Sequence, residues 1–231
     1  MYPFLFDRTM LLLLRALLLA LWAQFRVKSA YSRFGEVPSR RGVTAAQVAR
    51  SLLDRFGLTN VPVGRVPGNL TDHYDPRDKS LSLSDTVYNS TSIAAIGVAA
   101  HEVGHAIQDK DGYAPLAIRN AIVPVVGIGS TMAFPLFFIG LFLRGEFLMN
   151  LGIVLFLGVI VFHLITLPVE FDASRRALRV LGDTGLLGMD EVSGAKTVLN
   201  AAALTYVAAT VMAFAQLLRL LALRGMYGDR D

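Results

Sequence analysis

The sequence predicts a mainly α-helical integral membrane protein in which four transmembrane helices carry a small α+β domain. Three observations predict it. Hydrophobic residues make up 54% of the 231 positions and the mean hydropathy is +0.51, too apolar for an ordinary soluble domain. Four apolar runs are each long enough to cross about 30 Å of hydrocarbon at about 1.5 Å per helical residue. One polar block, from residue 28 to about 117, is large enough to fold outside the bilayer.

The first run spans Phe4 to Phe25 and is leucine-rich, with Arg15 interrupting it. It lacks a small-residue cleavage site before Gln24-Phe25-Arg26, so residues 1–27 read as a retained anchor rather than a removed signal. In the polar block, 28–117, Thr44 caps an amphipathic helix whose apolar face is Ala45, Val48, Leu52, Leu53 and Phe56, and Gly57 ends it. Val61 to Val66 and Lys79 to Ser84 read as two short strands, joined by a loop from Asn69 to Asp78 full of turn formers. The alternation of Ser80, Leu81, Ser82 and Leu83 suggests an edge strand, its leucines on the core and its free backbone groups offered to an extended peptide.

Residues 118–167 form a transmembrane hairpin: one run from Arg119 to Leu143, a turn at Arg144-Gly145-Glu146, and a second run from Phe147 to Leu167. Pro168 looks like the first turn of a new helix that occupies the 168–197 region. A fourth run, Val198 to Leu223, with a basic tail completes 198–231. Small residues at Gly127, Gly129 and Ser130 permit close helix approach in the second run.

The net charge of +4 is small and no dense basic run with interleaved aromatics occurs, which argues against a nucleic-acid partner. Cysteine is absent, so any metal must be held by His, Asp or Glu. Near the ends of the apolar runs, one side carries Lys28, Arg33, Arg40, Arg41, Lys110, Arg119, Arg175, Arg176, Arg179 and Lys196. The other carries Arg8, Arg144, Arg219, Arg224 and Arg230, so the polar block is expected in the cytoplasm.

The chemistry is concentrated in His101-Glu102-Val103-Gly104-His105. Two histidines four residues apart share one face of a helix and can grip a single zinc ion, and the glutamate a zinc hydrolase needs lies between them. Ser92 through Ala100 runs into the motif and Ala106-Ile107-Gln108 continues it, giving one helix of roughly five turns capped by the Ser90-Thr91-Ser92 cluster. Its other positions are mostly Ala, Ile and Val, so the histidines should be buried, and a metal would serve both imidazoles. Two histidines flanking a buried carboxylate would be costly without a cation.

Catalytic zinc takes three protein ligands and keeps a position open for water. A two-span hairpin returns the chain to the side it left, so the third ligand is sought just after Leu167. Glu170 is the first choice, Asp172 the second and His163 the third; the alternative role for Glu170 is a carboxylate favoured at a helix N-terminus. Arg175 and Arg176 could bind a peptide carboxylate or a lipid phosphate, or anchor the chain at the membrane surface.

Several segments carry a more specific likeness. Leu70-Thr71-Asp72-His73-Tyr74-Asp75-Pro76, Ile93 through Gln108, Leu167 through Ala177 and Leu199 through Ala208 resemble the bacterial membrane-bound neutral zinc metallopeptidases, the YugP-like family. More distantly, the order of strand, zinc helix, hairpin and glutamate helix is similar to the HtpX and Ste24 membrane proteases. Those proteases place an aspartate four residues after the ligand glutamate, where this chain has Ser174; Asp172, Asp72 and Asp75 are the candidates to replace its bond to a ligand histidine.

The resemblance implies a zincin-like domain of gluzincin type, with one catalytic Zn2+ held by His101, His105 and Glu170 and with Glu102 as general base. It implies an endopeptidase acting on membrane or membrane-proximal proteins, in contact with the lipid bilayer of the inner or plasma membrane. Candidates for the donor to the developing oxyanion are His73, Tyr74 and Tyr206, with His73 first. The rival from another class is a non-catalytic membrane scaffold or adaptor with a structural zinc, a type of site usually closed by four protein ligands, whereas three are found here. Neither a regulatory membrane partner nor a homo-oligomer is specified by the sequence.

Overall fold

A computed structural model of the chain describes residues 8–228, with side chains for 9–226; the start of the first run at Phe4 and the charges of Arg8 and Arg230 lie outside the described residues. The elements are α1 (Arg8–Gly35), α2 (Ala45–Arg55), β1 (Val63–Val66), β2 (His73–Asp75), β3 (Ser80–Ser84), α3 (Asp85–Tyr88), α4 (Ile93–Lys110), α5 (Ala114–Leu143), α6 (Glu146–Asp183) and α7 (Met189–Gly228). The protein is mainly helical, and four of these helices are long and apolar enough to cross a membrane: Thr9–Gly35, Ala114–Leu143, Glu146–Asp183 and Met189–Met226.

The chain divides into two compact units. The first is residues 1–24, 118–167 and 205–231. Its core is built where α5 meets α6, around Ala133, Phe137, Met149, Ile153 and Phe156, with Leu220 and Leu223 of α7. Glycine sets the spacing: a Cβ on Gly152 would meet the Ala133 carbonyl oxygen at 2.6 Å, and one on Gly140 the Met149 nitrogen at 2.6 Å. Gly127 meets nothing within 4 Å and a Cβ on Gly129 would make only ordinary contact with Leu155 at 3.7 Å, so the closest approach falls at Gly140 and Gly152. Leu14, Leu18, Val125, Ile128, Phe142 and Phe147 of this unit are exposed, a surface suited to lipid rather than water.

The second unit is residues 25–117 and 168–204. Its core joins Val48, Leu52 and Leu53 of α2 to Leu81 and Leu83 of β3, Ile96, Ala99 and Val103 of α4, and Leu181 and Leu199 from α6 and α7. The amphipathic helix forms as its sequence dictates. The Thr44 side chain accepts from the Gln47 amide and the Gln47 side chain accepts from the Thr44 amide, a reciprocal capping box, and Gly57 follows the end of the helix at φ 70°.

Three expectations are corrected. The segment from Asn69 to Asp78 is not all loop, because His73–Asp75 forms β2. The sheet order is β1-β3-β2, with β1 parallel to β3 and β2 antiparallel to it. Ser80, Leu81, Ser82 and Leu83 therefore lie on the central strand: Leu81 and Ser82 are paired on both sides, Ser80 with β2 and Leu83 with β1, so β3 is not an edge strand. Leu81 and Leu83 are fully buried, which is why alternation alone misled; a half-buried central strand alternates as an edge strand does. Finally, Pro168 does not start a helix but lies within α6. Proline removes one i to i−4 bond, and a long helix packed along its length tolerates that loss.

Candidate metal centre

Helix α4 brings both histidines to one face. Ser92 caps it by accepting from the Ala95 amide at 3.2 Å, and Ser90 donates its hydroxyl to Ser92 at 3.0 Å. The following Ala-rich sequence favours a helix whose sides can be closely approached. The decisive contact is at Gly104. A Cβ there would stand 2.5 Å from the Ala173 carbonyl oxygen and 3.2 Å from its Cα, so α4 and α6 meet backbone to backbone between the two histidines. Gly97 does a related service one side along, with Ala195 of α7 at 3.2 Å from its hypothetical Cβ.

This approach places Glu170 of α6 over the pair. Glu170 Oε2 lies 3.2 Å from His101 Nε2 and 3.7 Å from His105 Nε2, and the two imidazoles meet edge to face with centroids 4.7 Å apart. One ligand atom from each of His101, His105 and Glu170 falls within 4.8 Å of the others, a set able to hold a metal ion. The edge of a tetrahedron with bonds of about 2.0–2.1 Å is roughly 3.3 Å, so two of the three separations already approximate a zinc site. The donors, two imidazoles and a carboxylate without a thiolate, suit zinc. Among the described residues no other His/Asp/Glu group of this kind occurs.

Glu102 is buried on the same helix. Burial pushes its carboxyl up to about 7; the His101 charge opposes this, and the nearby Glu170 and Asp72 carboxylates reinforce it.

Each histidine has a second partner. Ser174 Oγ lies 3.1 Å from His101 Nδ1. A hydroxyl one turn after Glu170 is therefore the partner of His101, rather than any of the aspartates Asp172, Asp72 or Asp75. Gln108 Oε1 lies 2.9 Å from His105 Nδ1, and its amide nitrogen donates to the Val169 carbonyl at 2.8 Å and to Asp172 Oδ2 at 3.0 Å. Asp172 is thus one side chain removed from the trio. Asp72 instead accepts from the Ser84 amide and hydroxyl at 2.7 and 2.9 Å, and Asp75 pairs with Arg77 at 2.5 Å. Gln108 and Ser174 were missed as partners. The signal for Gln108 was a long polar side chain inside an otherwise apolar helix, three residues beyond the second histidine.

The other singled-out residues are placed as follows. His73 is exposed on β2, and its Nδ1–H donates to the Thr71 carbonyl at 2.8 Å. Tyr74 is buried beside it and donates to Asp109 Oδ2 at 2.8 Å, which ties β2 to the end of α4; burial, then this carboxylate, pushes its phenol well above the usual range. Tyr206 and His163 belong to the first unit. Arg176 is mostly buried and committed to Asp172 at 2.6 Å and Asp111 at 2.5 Å, over the Tyr113 ring, so it is no free binder of lipid or carboxylate. Arg175 is largely exposed, 3.3 Å from Asp172.

Four helices long and apolar enough to cross a membrane, with a partly buried His101 and buried His105 and Glu170 able to hold a metal ion, define the class: a helical membrane protein with a candidate metal centre. The family model described as "Putative neutral zinc metallopeptidase" matches residues 9–225, and the chain belongs to this family. It is 48% identical over 209 residues to the "Putative membrane protease YugP" of Bacillus subtilis (strain 168), an alignment covering 90% of this chain and 92% of that relative. No solved structure matches the chain.

Proposed function

We propose that this protein is a membrane-embedded, zinc-dependent endopeptidase of gluzincin type that hydrolyses peptide bonds of membrane or membrane-proximal proteins. The observation that carries the reading is the convergence of His101, His105 and Glu170 within ligand distance, with Glu102 buried beside His101. Family membership supports zinc and the peptidase class.

Bound zinc supplies a water with its pKa lowered to roughly 7 and a Lewis acid for the scissile carbonyl. The chain supplies the rest. His101, His105 and Glu170 would hold the ion. Glu102, raised by burial to about 7, accepts a proton at its carboxylate and returns it to the leaving amine nitrogen. The substrate backbone lies along β2, an edge of the sheet, in place of the central β3. His73 projects from that edge; with Nδ1–H committed to Thr71, it donates to an oxyanion through Nε2 only as the imidazolium. The excess of Lys and Arg on this side of the apolar runs supports a cytoplasmic site in a multi-pass plasma-membrane protein.

The test is cleavage of casein and of a membrane substrate by the full chain in detergent, with and without chelator, beside Glu102→Gln. Cleavage should need zinc and vanish in the variant while zinc stays bound. One equivalent of zinc with no cleavage, and a variant indistinguishable from wild type, would replace this reading with the scaffold.

A further inference from the structure

We propose that Gln108 is a positioning residue for the metal centre, fixing His105 in the tautomer that presents a bare Nε2 to the ion, with the Val169 carbonyl, Asp172 and Arg176 deciding which end of the Gln108 amide faces the ring. The inference rests on the zinc reading above, but the chain of hydrogen bonds behind it is a property of the protein itself.

The Gln108 side chain is fully buried, so both ends of its amide must be satisfied inside the protein. An amide has one accepting end and one donating end. Two acceptors lie at the same end of Gln108: the Val169 carbonyl at 2.8 Å and Asp172 Oδ2 at 3.0 Å. The Val169 carbonyl can only accept, so the NH2 group must point at this end and Oε1 must point at His105 Nδ1, 2.9 Å away. The opposite orientation would set an oxygen against two acceptors. Arg176 holds Asp172 in place, its Nε–H donating to the same Oδ2 at 2.6 Å, and is itself held by Asp111.

With only an oxygen opposite it, His105 Nδ1 must carry the proton. A neutral imidazole then has its lone pair on Nε2, the nitrogen that faces Glu170. His105 is therefore prepared for a metal before one arrives. His101 differs, because its Nδ1 partner is the Ser174 hydroxyl, which can donate or accept. The two histidines of the motif are unequal, and the inequality is written three residues after the second one. The chain of contacts also spans elements: Gln108 on α4 is tied to Val169, Asp172 and Arg176 on α6, and Arg176 to Asp111 at the end of α4. It orients the ring from the same helix that carries Glu170.

The test uses the full chain in detergent, freed of zinc and labelled with 15N at its four histidines. Long-range nitrogen–proton NMR reads the His105 tautomer, and competition with a chromophoric chelator reads the zinc dissociation constant. In the wild type, His105 should be predominantly protonated at Nδ1. Gln108→Met keeps the side-chain length without an acceptor; it should lose that preference and weaken zinc by about 10–100-fold, the usual effect of removing a ligand's outer partner. Gln108→Glu keeps an acceptor for Nδ1 but opposes Asp172 with a second carboxylate, and should also bind zinc poorly.

Adding Asp172→Asn to Gln108→Glu supplies a donor to the introduced carboxylate, and should restore most of the affinity with the Nδ1–H tautomer kept throughout. A role confined to packing predicts no such rescue. If Gln108→Met fails to fold, the comparison of Gln108→Glu with the double variant decides. A wild-type tautomer and affinity in Gln108→Met, or no rescue in the double variant, overturns the proposal. Absence of zinc binding by the wild type would instead overturn the metallopeptidase reading, while the tautomer of the zinc-free protein still decides the role of Gln108.

Discussion

Gly104→Ala is the sharpest perturbation of the centre, because it adds one methyl group and touches no ligand. The added Cβ would meet the Ala173 carbonyl oxygen at 2.5 Å, whereas a carbon–oxygen contact needs about 3.3 Å or more. The obstacle is backbone inside a helix and cannot rotate away, so α4 and α6 must part by about 0.8 Å. The ligand atoms straddle that seam, His101 and His105 on one side and Glu170 on the other, and metal sites tolerate only about 0.2 Å.

Overpacking of this kind costs up to about 3 kcal/mol, and the better helix propensity of alanine returns about 1 kcal/mol. A net cost of about 2 kcal/mol in restoring the geometry weakens zinc by about 30-fold. Chelator competition on the full chain measures the dissociation constant, and thermal unfolding of the zinc-free protein measures the strain. A variant with an affinity within threefold of wild type and an unchanged or raised melting temperature would refute the claim that the glycine sets the ligand spacing.

The remaining predictions concern individual side chains. In zinc-free protein the Glu102 carboxyl is raised to about 7 from an ordinary 4.5, so the unfolded chain gives up this proton at lower pH than the fold does. Stability should then fall as pH rises through that window, by roughly 3 kcal/mol at most. Glu102→Gln lacks this cost, so its melting temperature should gain on wild type between pH 5 and pH 8, and an equal gap at both values counts against it. The same variant should keep zinc and lose about 10²–10⁴-fold in peptide hydrolysis, measured on casein. Glu170→Ala should abolish stoichiometric zinc, whereas Asp172→Ala should retain one equivalent at reduced affinity; metal analysis after gel filtration separates them, and the reverse pattern would move the ligand to Asp172. Tyr74→Phe removes a buried hydroxyl bonded to Asp109 and should cost about 1–2 kcal/mol, seen as a lower melting temperature, with zinc affinity little changed.

Helix α2, with its capping box and glycine stop, and α4, with its serine cap, follow from interactions between residues a few positions apart, and such signals survive in a bare sequence. The four long apolar helices are legible for the same reason, since composition over about twenty residues suffices. Strand order is different in kind. Leu81 and Leu83 alternate with serines whether their strand is central or at an edge; only its pairing with Val63–Val66 on one side and His73–Asp75 on the other distinguishes the two. Pro168 likewise reads as a helix start when only local preference is weighed, yet α6 runs through it.

By itself the sequence determined that this is a helical membrane protein with two histidines on one helix face and a glutamate between them in sequence, because spacing along a helix is a matter of period. Tertiary structure decided which carboxylate approaches that pair and what steadies each ring. Glu170 comes within 3.2 Å because Gly104 lets two backbones touch, Ser174 takes the place of an expected aspartate, and Asp172 acts through Gln108. Those outcomes depend on contacts between residues 60 to 75 positions apart, set by how closely two helices pack, and no local pattern encodes that distance.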